Sequence, residues 1–198
     1  MSKTLILLFH PDLRRSKANA ALAAAAAKLS DVEIADMYAL YPDGRIDADA
    51  EVRRLLSADR VVFQFPVQWY STPPLMKAWQ DMVLTRMMYI AYEAEGRKLE
   101  GTPLMVAATA GNVPEAYRPG GVNLFSMEEL LRPLEATANR CGMPWQPALL
   151  LYRADRLDQT SLAIAGRDYA RILDAWRRET EAQHGQSTDR SHLIEAWG

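Results

Sequence analysis

Short apolar runs alternate along the chain with longer segments of mixed apolar and polar positions. The short runs are typical of strands in a parallel sheet that is covered on both faces, and the longer segments favour helices with one apolar face. The predicted strands are residues 4–9, 32–37, 60–65, 103–109 and 148–152, and the second of these alternates weakly, as an edge strand does. The predicted helices are residues 18–29, 46–58, 73–84, 128–140 and 157–182.

This alternation of strands and helices gives repeated βαβ units, and therefore a parallel sheet with helices on both faces. The predicted fold class is α/β: a flavodoxin-like three-layer sandwich whose five-stranded parallel sheet has the order 2-1-3-4-5. In this order a ligand crevice lies beyond the carboxyl ends of strands 1, 3 and 4. The loops that begin at His10, Pro66 and Thr109 leave those strand ends.

Composition narrows the class of protein. The 198 residues fit one domain, predicted over residues 1–182, with a polar tail over residues 183–198. Lys and Arg number 23 against 25 Asp and Glu, so the chain has no electrostatic footprint for nucleic acid. The single cysteine, Cys141, allows no internal disulfide and suits a reducing cytosol. Without a secretory signal or an apolar run near the ~20 residues that cross a bilayer, we expect a soluble, cytoplasmic protein.

The first loop, residues 10–19, joins a buried strand to the amino end of a helix. Unpaired N–H groups and the helix dipole favour an anion at such a position. Ser16 and Asn19 can hydrogen-bond a phosphate or cap the helix, and Arg14, Arg15 and Lys17 raise the local positive potential. The structural alternative is that Ser16 is only an N-cap and the basic residues are only solvated. For His10 the alternative to facing the crevice is a core histidine, which needs an internal partner.

The second loop carries Gln68, Trp69 and Tyr70 between prolines, which restrict its path. An aromatic loop at the carboxyl end of a buried strand is where open α/β sheets bind flat ligands. The alternative is that its aromatic side chains plug the edge of the core. The third loop, residues 108–112, has small side chains that let a ring approach the backbone, where free N–H groups could stabilise negative charge. A plain exit from the strand is the alternative there.

Several other kinds of site do not fit. None of the ten glycines falls in the spacing of a phosphate-binding fingerprint, and Gly-x-Ser-x-Gly is absent. Three scattered histidines and one cysteine do not make a metal-ligand set. A phosphorylated receiver domain needs carboxylates at the ends of strands 1 and 3, where this chain has His10 and Pro66.

Taken in register, these loops carry a family resemblance. The matching segments are His10-Pro11, Ser16-x-Ala18-Asn19, residues 66–70 with Pro73-Pro74, residues 108–111, residues 40–43 with Ile46-Asp47, and residues 127–138 followed by Cys141-Gly142. This combination resembles the flavodoxin-like NAD(P)H:quinone reductases, in the branch that includes the ancillary flavoprotein of glutathione-gated potassium efflux systems. The resemblance covers about residues 5–152.

The resemblance implies an NAD(P)H dehydrogenase (quinone) that reduces quinones or similar acceptors by two electrons through a ping-pong hydride transfer. The implied cofactor is a flavin, either FMN or FAD, of which we narrowly favour FMN, and the implied electron donor is NAD(P)H. An alternative function is a regulatory flavoprotein subunit of a potassium efflux transporter. The resemblance also implies a homodimer, in which the apolar segment 82–92 roofs a crevice at the two-fold interface. A helix buried within one subunit is the alternative for that segment.

By the same resemblance, each loop would contact a different part of the cofactor. His10, Ser16, Ala18 and Asn19 would hold the phosphate and ribityl end, and Pro66, Val67, Gln68, Trp69 and Tyr70 would lie along one edge of the flavin ring. Ala108, Thr109, Ala110 and Gly111 would approach the opposite edge, where family members often have Thr-Thr-Gly-Gly, so that a methyl group replaces a hydrogen there.

Tyr117 matches a family tyrosine that handles charge during catalysis, and its alternative role is to pack on Pro119. There is no histidine between Gly111 and Met127, so a proton relay through histidine is not expected. Tyr117 could donate a hydrogen bond to the reduced flavin, with water supplying protons.

Overall fold

A computed structural model describes the backbone of residues 2–195 and the side chains of residues 2–182. The strands are Thr4–Leu8 (β1), Val32–Asp36 (β2), Arg60–Pro66 (β3), Leu104–Thr109 (β4) and Leu149–Leu151 (β5). They pair in parallel in the order β2-β1-β3-β4-β5. The predicted sheet, its strand order and the edge position of the second strand are confirmed.

The helices are Lys17–Ala26 (α1), Met37–Leu40 (α2), Ala48–Leu56 (α3), Pro74–Trp79 (α4), Arg97–Leu99 (α5), Met127–Arg140 (α6) and Gln159–Glu195 (α7). The ends of α6 show how local sequence sets these limits. Ser126 and Glu129 form a reciprocal capping box at its start, and Gly142 takes a φ of 65° just after its end.

The helix predicted over residues 73–84 is present, but it is an α-helix only over Pro74–Trp79. After Trp79 the chain forms π-helical turns over Gln80–Leu84, Arg86–Ile90 and Tyr92–Gly96. Close contacts fold these turns together: Arg86 pairs with Glu95 at 2.5 Å, and a Cβ at Gly96 would lie 2.4 Å from the Met87 carbonyl oxygen. Apolar spacing does not distinguish such wide turns from an α-helix, because it reports which positions are buried and not whether the backbone bonds from i to i+4 or to i+5.

The last helix also differs from its prediction. It begins at Gln159 and its backbone continues to Glu195, past the predicted end at residue 182. Residues 196–198 lie outside the described residues. The division into a domain over residues 1–182 and a polar tail over residues 183–198 stays a prediction.

The core has two parts, one on each face of the sheet. On one face, Leu5, Leu7 and Phe63 pack with the helices that follow β2, β3 and β4. There the rings of Phe9, Phe63 and Trp79 meet edge to face at centroid distances of 5.6–6.3 Å. The other face packs against α1 and α7. Because both faces are covered, the carboxyl ends of β1, β3 and β4 are held at one level, and their loops can share a cavity.

In the described part of the chain, no helix combines the length and the apolar character that crossing a bilayer requires.

Candidate functional site

The three predicted loops meet at one cavity of about 290 Å³ at the carboxyl edge of the sheet. Its volume lies near the ~300 Å³ lower end of ligand clefts. The wall is formed by His10, Arg15, Ser16, Lys17, Ala18, Asn19, Pro66, Val67, Thr109, Gly111, Ala154 and Asp155. Members of every predicted loop therefore border the same space.

The amino end of α1 makes one side of this cavity suited to an anion. Ser16 is the N-cap, and its Oγ accepts a hydrogen bond from the Asn19 N–H at 3.1 Å. The N–H groups of Lys17 and Ala18, in the first turn, have no partner within the helix. Ser16 thus has the capping role that was the structural alternative, and the end of the capped helix still lines the cavity.

The side chain of Asn19 lies beneath the cavity and is already engaged. It is 1% exposed, and its Nδ2 donates to Thr109 Oγ1 at 2.8 Å. Its Oδ1 accepts from Gln64 Nε2 at 3.4 Å. A contact between this amide and a phosphate stays a prediction, and the structure favours a supporting position for Asn19 instead.

His10 is half-buried at the cavity wall. Its Nδ1 accepts the Asp12 N–H at 3.1 Å, so the ring has a local partner in its own loop. Burial lowers the pKa of His10, against the opposing effects of Asp12 and Asp36. The neutral ring therefore carries its proton on Nε2, which is a hydrogen-bond donor.

The aromatic loop is a strained two-residue turn. Gln68 and Ser71 exchange backbone hydrogen bonds of 2.9 and 3.0 Å, and Trp69 and Tyr70 between them have φ values of 47° and 64°. Such a turn normally selects Asn and Gly, because each larger residue costs about 1 kcal/mol or more in this conformation. Trp69 is 93% exposed, so its indole does not plug the core. Strain at an exposed turn is a feature of ligand-binding segments.

Two turns near the cavity offer backbone donors. In the part of the chain that the structure describes, the N–H groups of Trp69, Tyr70, Gly111 and Asn112 have no acceptor. Ala110 differs from these residues, because its N–H donates to the Leu151 carbonyl at 2.9 Å. The free donors of the third loop therefore come after Ala110.

Two of the predicted ring-edge residues are buried. The side chains of Ala108 and Ala110 are 2% and 4% exposed and belong to the core. The Ala110 methyl group therefore packs inward and is not part of the cavity wall. A cofactor contact by either residue stays a prediction, and only their backbone atoms could make it.

Gln68, Trp69 and Tyr70 lie outside the cavity wall. Tyr70 instead borders a second cavity, of about 160 Å³, between the aromatic loop and α6. The two cavities share Val67, so they lie on either side of the same loop.

Tyr117 packs against Tyr152, with ring centroids 5.7 Å apart. Burial is the main cause that raises the pKa of the Tyr117 hydroxyl, and the neighbouring Tyr70 adds to it. The hydroxyl therefore stays protonated at neutral pH and can act as a donor.

Ala154 and Asp155, which follow β5, also join the cavity wall, although they were not among the predicted site residues. The Ala154 N–H donates to the Ala110 carbonyl at 3.0 Å, which holds this loop against the third one. The predicted strand order could have indicated them, because in the order 2-1-3-4-5 the carboxyl end of β5 borders that of β4. Within residues 2–182, no cluster of three or more His, Cys, Asp or Glu side chains could hold a metal ion.

Comparison with known proteins agrees with this geometry. The family model described as Flavodoxin-like fold matches residues 2–173. The glutathione-regulated potassium-efflux system ancillary protein KefG of Cronobacter sakazakii is 41% identical over 172 residues, which cover 87% of this chain and 92% of that protein.

Two solved structures are similar over most of their length. General stress protein 14 of Treponema denticola, in complex with FMN, has a TM-score of 0.80 and 34% identity, over 87% of this chain and 98% of that one. An NADPH-quinone reductase from P. pentosaceus has a TM-score of 0.73 and 32% identity, over 85% of this chain and 97% of that one.

Proposed function

This chain belongs to the flavodoxin-like fold family, and we propose that it is a flavin-dependent oxidoreductase that reduces quinones or similar acceptors with NAD(P)H. Relatives named as quinone reductases support the reaction class. The observation that carries the proposal is that three separate loops meet at one cavity, with a helix amino terminus at one side of it.

The donor groups around the cavity fit a flavin phosphate. Ser16, the N–H groups of Lys17 and Ala18, and the protonated Nε2 of His10 would bind it, while Arg15 and Lys17 contribute positive charge. We favour FMN over FAD, because a relative with 34% identity is an FMN complex and the cavity is small.

The other two loops would hold the ring. Pro66, Val67, Gln68, Trp69 and Tyr70 would border one edge, with free N–H groups at Trp69 and Tyr70. Thr109 and Gly111 would border the opposite edge, and the buried Ala108 and Ala110 would support it from beneath.

When bound, a flavin would supply the redox chemistry, a two-electron transfer from NAD(P)H to a quinone. The protein's task is to orient the ring and to place donors where negative charge develops. Tyr117, whose pKa is raised, would keep its proton and donate a hydrogen bond there. With no histidine between Gly111 and Met127, protons would come from water.

The decisive experiment is a visible spectrum of the purified protein, before and after incubation with FMN, followed by anaerobic titration with NADH or NADPH. We expect a flavin spectrum that bleaches with one of the two donors and returns when a benzoquinone is added. A protein that retains neither FMN nor FAD contradicts the proposal. The same titration, run with each nucleotide, identifies the preferred donor.

The π-helical segment supports the proposal of a homodimer with two shared crevices. Met87 and Met88 are buried, yet Met82, Tyr89 and Ile90 are 45%, 67% and 79% exposed. Large apolar side chains exposed together on one segment are typical of an interface. We propose that this segment of one subunit covers the crevice of the other.

A second candidate function is a regulatory flavoprotein subunit of a potassium efflux transporter. The specific support is the 41% identity to the ancillary protein KefG, over most of both chains. The test is potassium efflux from cells that express the transporter encoded nearest to this gene, with and without this chain. Equal efflux in both contradicts this function and leaves the oxidoreductase proposal standing.

A further inference from the structure

We propose that Gln64 is a positioning residue, which fixes the amino end of α1 relative to β3 and β4 and thereby the spacing between the phosphate end and the ring end of the crevice. This inference rests on the proposed function. Gln64 does not border the cavity, so its role would be exerted through Asn19 and Thr109.

Among the described residues, Gln64 is the one residue of β3 whose side chain hydrogen-bonds to α1. It is 0% exposed, and its Nε2 donates to the Asn19 carbonyl oxygen at 3.0 Å and to Asn19 Oδ1 at 3.4 Å. Asn19 continues the chain of contacts to β4, through Thr109 Oγ1 at 2.8 Å, and to the N-cap, through Ser16 Oγ at 3.1 Å. Asn19 thus ends the first loop, Thr109 begins the third, and Gln64 lies two residues before the second, so this network adjoins all three loops.

If stability alone decided the residue at position 64, an apolar side chain would be favoured there, because its neighbours are apolar and buried. Its register partner on β1 is Leu8 and its partner on β4 is Ala107, both fully buried. Val62, on the same face of β3, is also fully buried. An amide at this position must be desolvated, which costs free energy unless all its polar atoms find partners.

Gln64 does not satisfy that condition. Its Oε1 is buried and has no hydrogen-bond partner among the described residues. A buried acceptor without a partner destabilises the fold, so retaining it needs an explanation other than stability. The geometry supplies one: the donor side of the same amide holds the helix end that would bind the phosphate.

The test compares FMN with riboflavin, which has the same ring and ribityl chain and lacks the phosphate. Dissociation constants for both are measured by flavin fluorescence in the wild type, in Gln64→Met and in the matched control Leu8→Met. Leu8 is the register partner of Gln64 and is equally buried, so the control changes a side chain of similar size without touching the network. Unfolding of each apoprotein in urea is measured in parallel.

We expect Gln64→Met to lower the preference for FMN over riboflavin about tenfold. This corresponds to the loss of one well-placed hydrogen bond between the displaced helix end and the phosphate. Its urea midpoint should be unchanged or higher, and Leu8→Met should keep the wild-type preference. Gln64→Leu provides a second test with a different apolar side chain.

The outcomes separate the two proposals. An unchanged FMN preference in the Gln64 variants overturns the positioning role, and so does an equal loss of affinity for both flavins. Failure of both Gln64 variants to fold also overturns it, because Gln64 is then needed for stability. A wild type that binds neither flavin overturns the proposed function, and the positioning role with it.

Discussion

At the scale of single residues, Trp69 is held in a backbone conformation that its side chain disfavours, and its indole gains no burial in return. Its φ is 47° and it is 93% exposed. Folding alone gives no reason for this combination, since Asn or Gly would form the same turn at lower cost. The reason we propose is that the indole is kept for the flavin ring.

Replacing Trp69 by Asn should therefore separate stability from binding. Asn tolerates the left-handed region, so we expect the free energy of unfolding to stay the same or to rise by about 1 kcal/mol. Retention of FMN should fall about tenfold, because the indole no longer orients the ring. Urea unfolding and FMN titration measure the two effects.

Leu124 offers a control for the backbone part of this prediction. It has a φ of 64° and is 61% exposed, so Leu124→Asn should show a similar gain in the free energy of unfolding. If Trp69→Asn keeps wild-type FMN affinity, the placement of the ring beside Trp69 is wrong.

His10 gives a prediction about pH. Its pKa is lowered in the folded protein, so the unfolded chain takes up the proton first as the pH falls. Stability that is present above the ordinary value of 6.5 is then lost as the pH falls through that value and on to the lower folded pKa. We expect urea unfolding to show a larger loss of stability between about pH 7.5 and pH 5.5 in the wild type than in His10→Gln. Equal losses in both proteins would show that His10 is not the group responsible.

At the scale of elements, a buried carboxylate joins α3 to α4, the helix that follows the aromatic loop. Glu51 on α3 is 0% exposed and accepts hydrogen bonds from Trp79 Nε1 at 3.0 Å, Tyr41 Oη at 2.8 Å and Arg54 Nε at 3.2 Å. All three partners are donors, so the site is built for an acceptor. The network fixes the start of the segment that leads into the π-helical turns.

We expect Glu51→Gln to lower the free energy of unfolding by about 2–4 kcal/mol, because the amide N–H₂ would face a donor and Arg54 would lose its buried partner. Asp49→Asn on the same helix is the control. Its carboxylate is 66% exposed and pairs with Arg86 at the surface, so the loss should be under about 1 kcal/mol. Similar urea midpoints for the two variants would contradict the role given to Glu51.

The strands and their order could be predicted because they follow from local apolar runs and from the geometry of βαβ units. Two other features could not be predicted, because they do not follow from apolar runs or from the geometry of βαβ units. The π-helical turns after Trp79 include contacts nine residues apart, from Arg86 to Glu95 and from Met87 to Gly96, which apolar spacing does not report. Likewise, the three loops were predicted to meet, but the hydrogen bonds that commit Asn19 to Gln64 and Thr109 appear only once the strands are aligned.

At the scale of the whole molecule, most of the exposed large apolar side chains among the described residues lie on two segments, the aromatic loop with residues 122–125 and the π-helical segment. Trp69, Val122, Leu124 and Phe125 are exposed near the aromatic loop, to which Asn123 is linked by a 3.4 Å contact with the Tyr70 hydroxyl. Tyr89 and Ile90 are exposed on the π-helical segment. A two-fold interface that brings these surfaces together would bury both and would complete the roof of each crevice.

This arrangement predicts that Ile90→Glu disrupts assembly and catalysis together while leaving the subunit folded. Ile90 is 79% exposed in the single chain, so a charge there costs the isolated subunit little, whereas at an apolar interface it would be desolvated without a partner. Sedimentation equilibrium should show a dimer for the wild type and a monomer for Ile90→Glu. Quinone reduction should fall at least tenfold in the variant, because the crevice loses its cover.

Ile164→Glu on α7 is the matched control, since Ile164 is 44% exposed and lies on the opposite face of the sheet. It should leave the mass of the assembly and the rate of quinone reduction unchanged. A wild type that sediments as a monomer would contradict the shared crevice. A dimeric Ile90→Glu with full activity would place the interface elsewhere on the molecule.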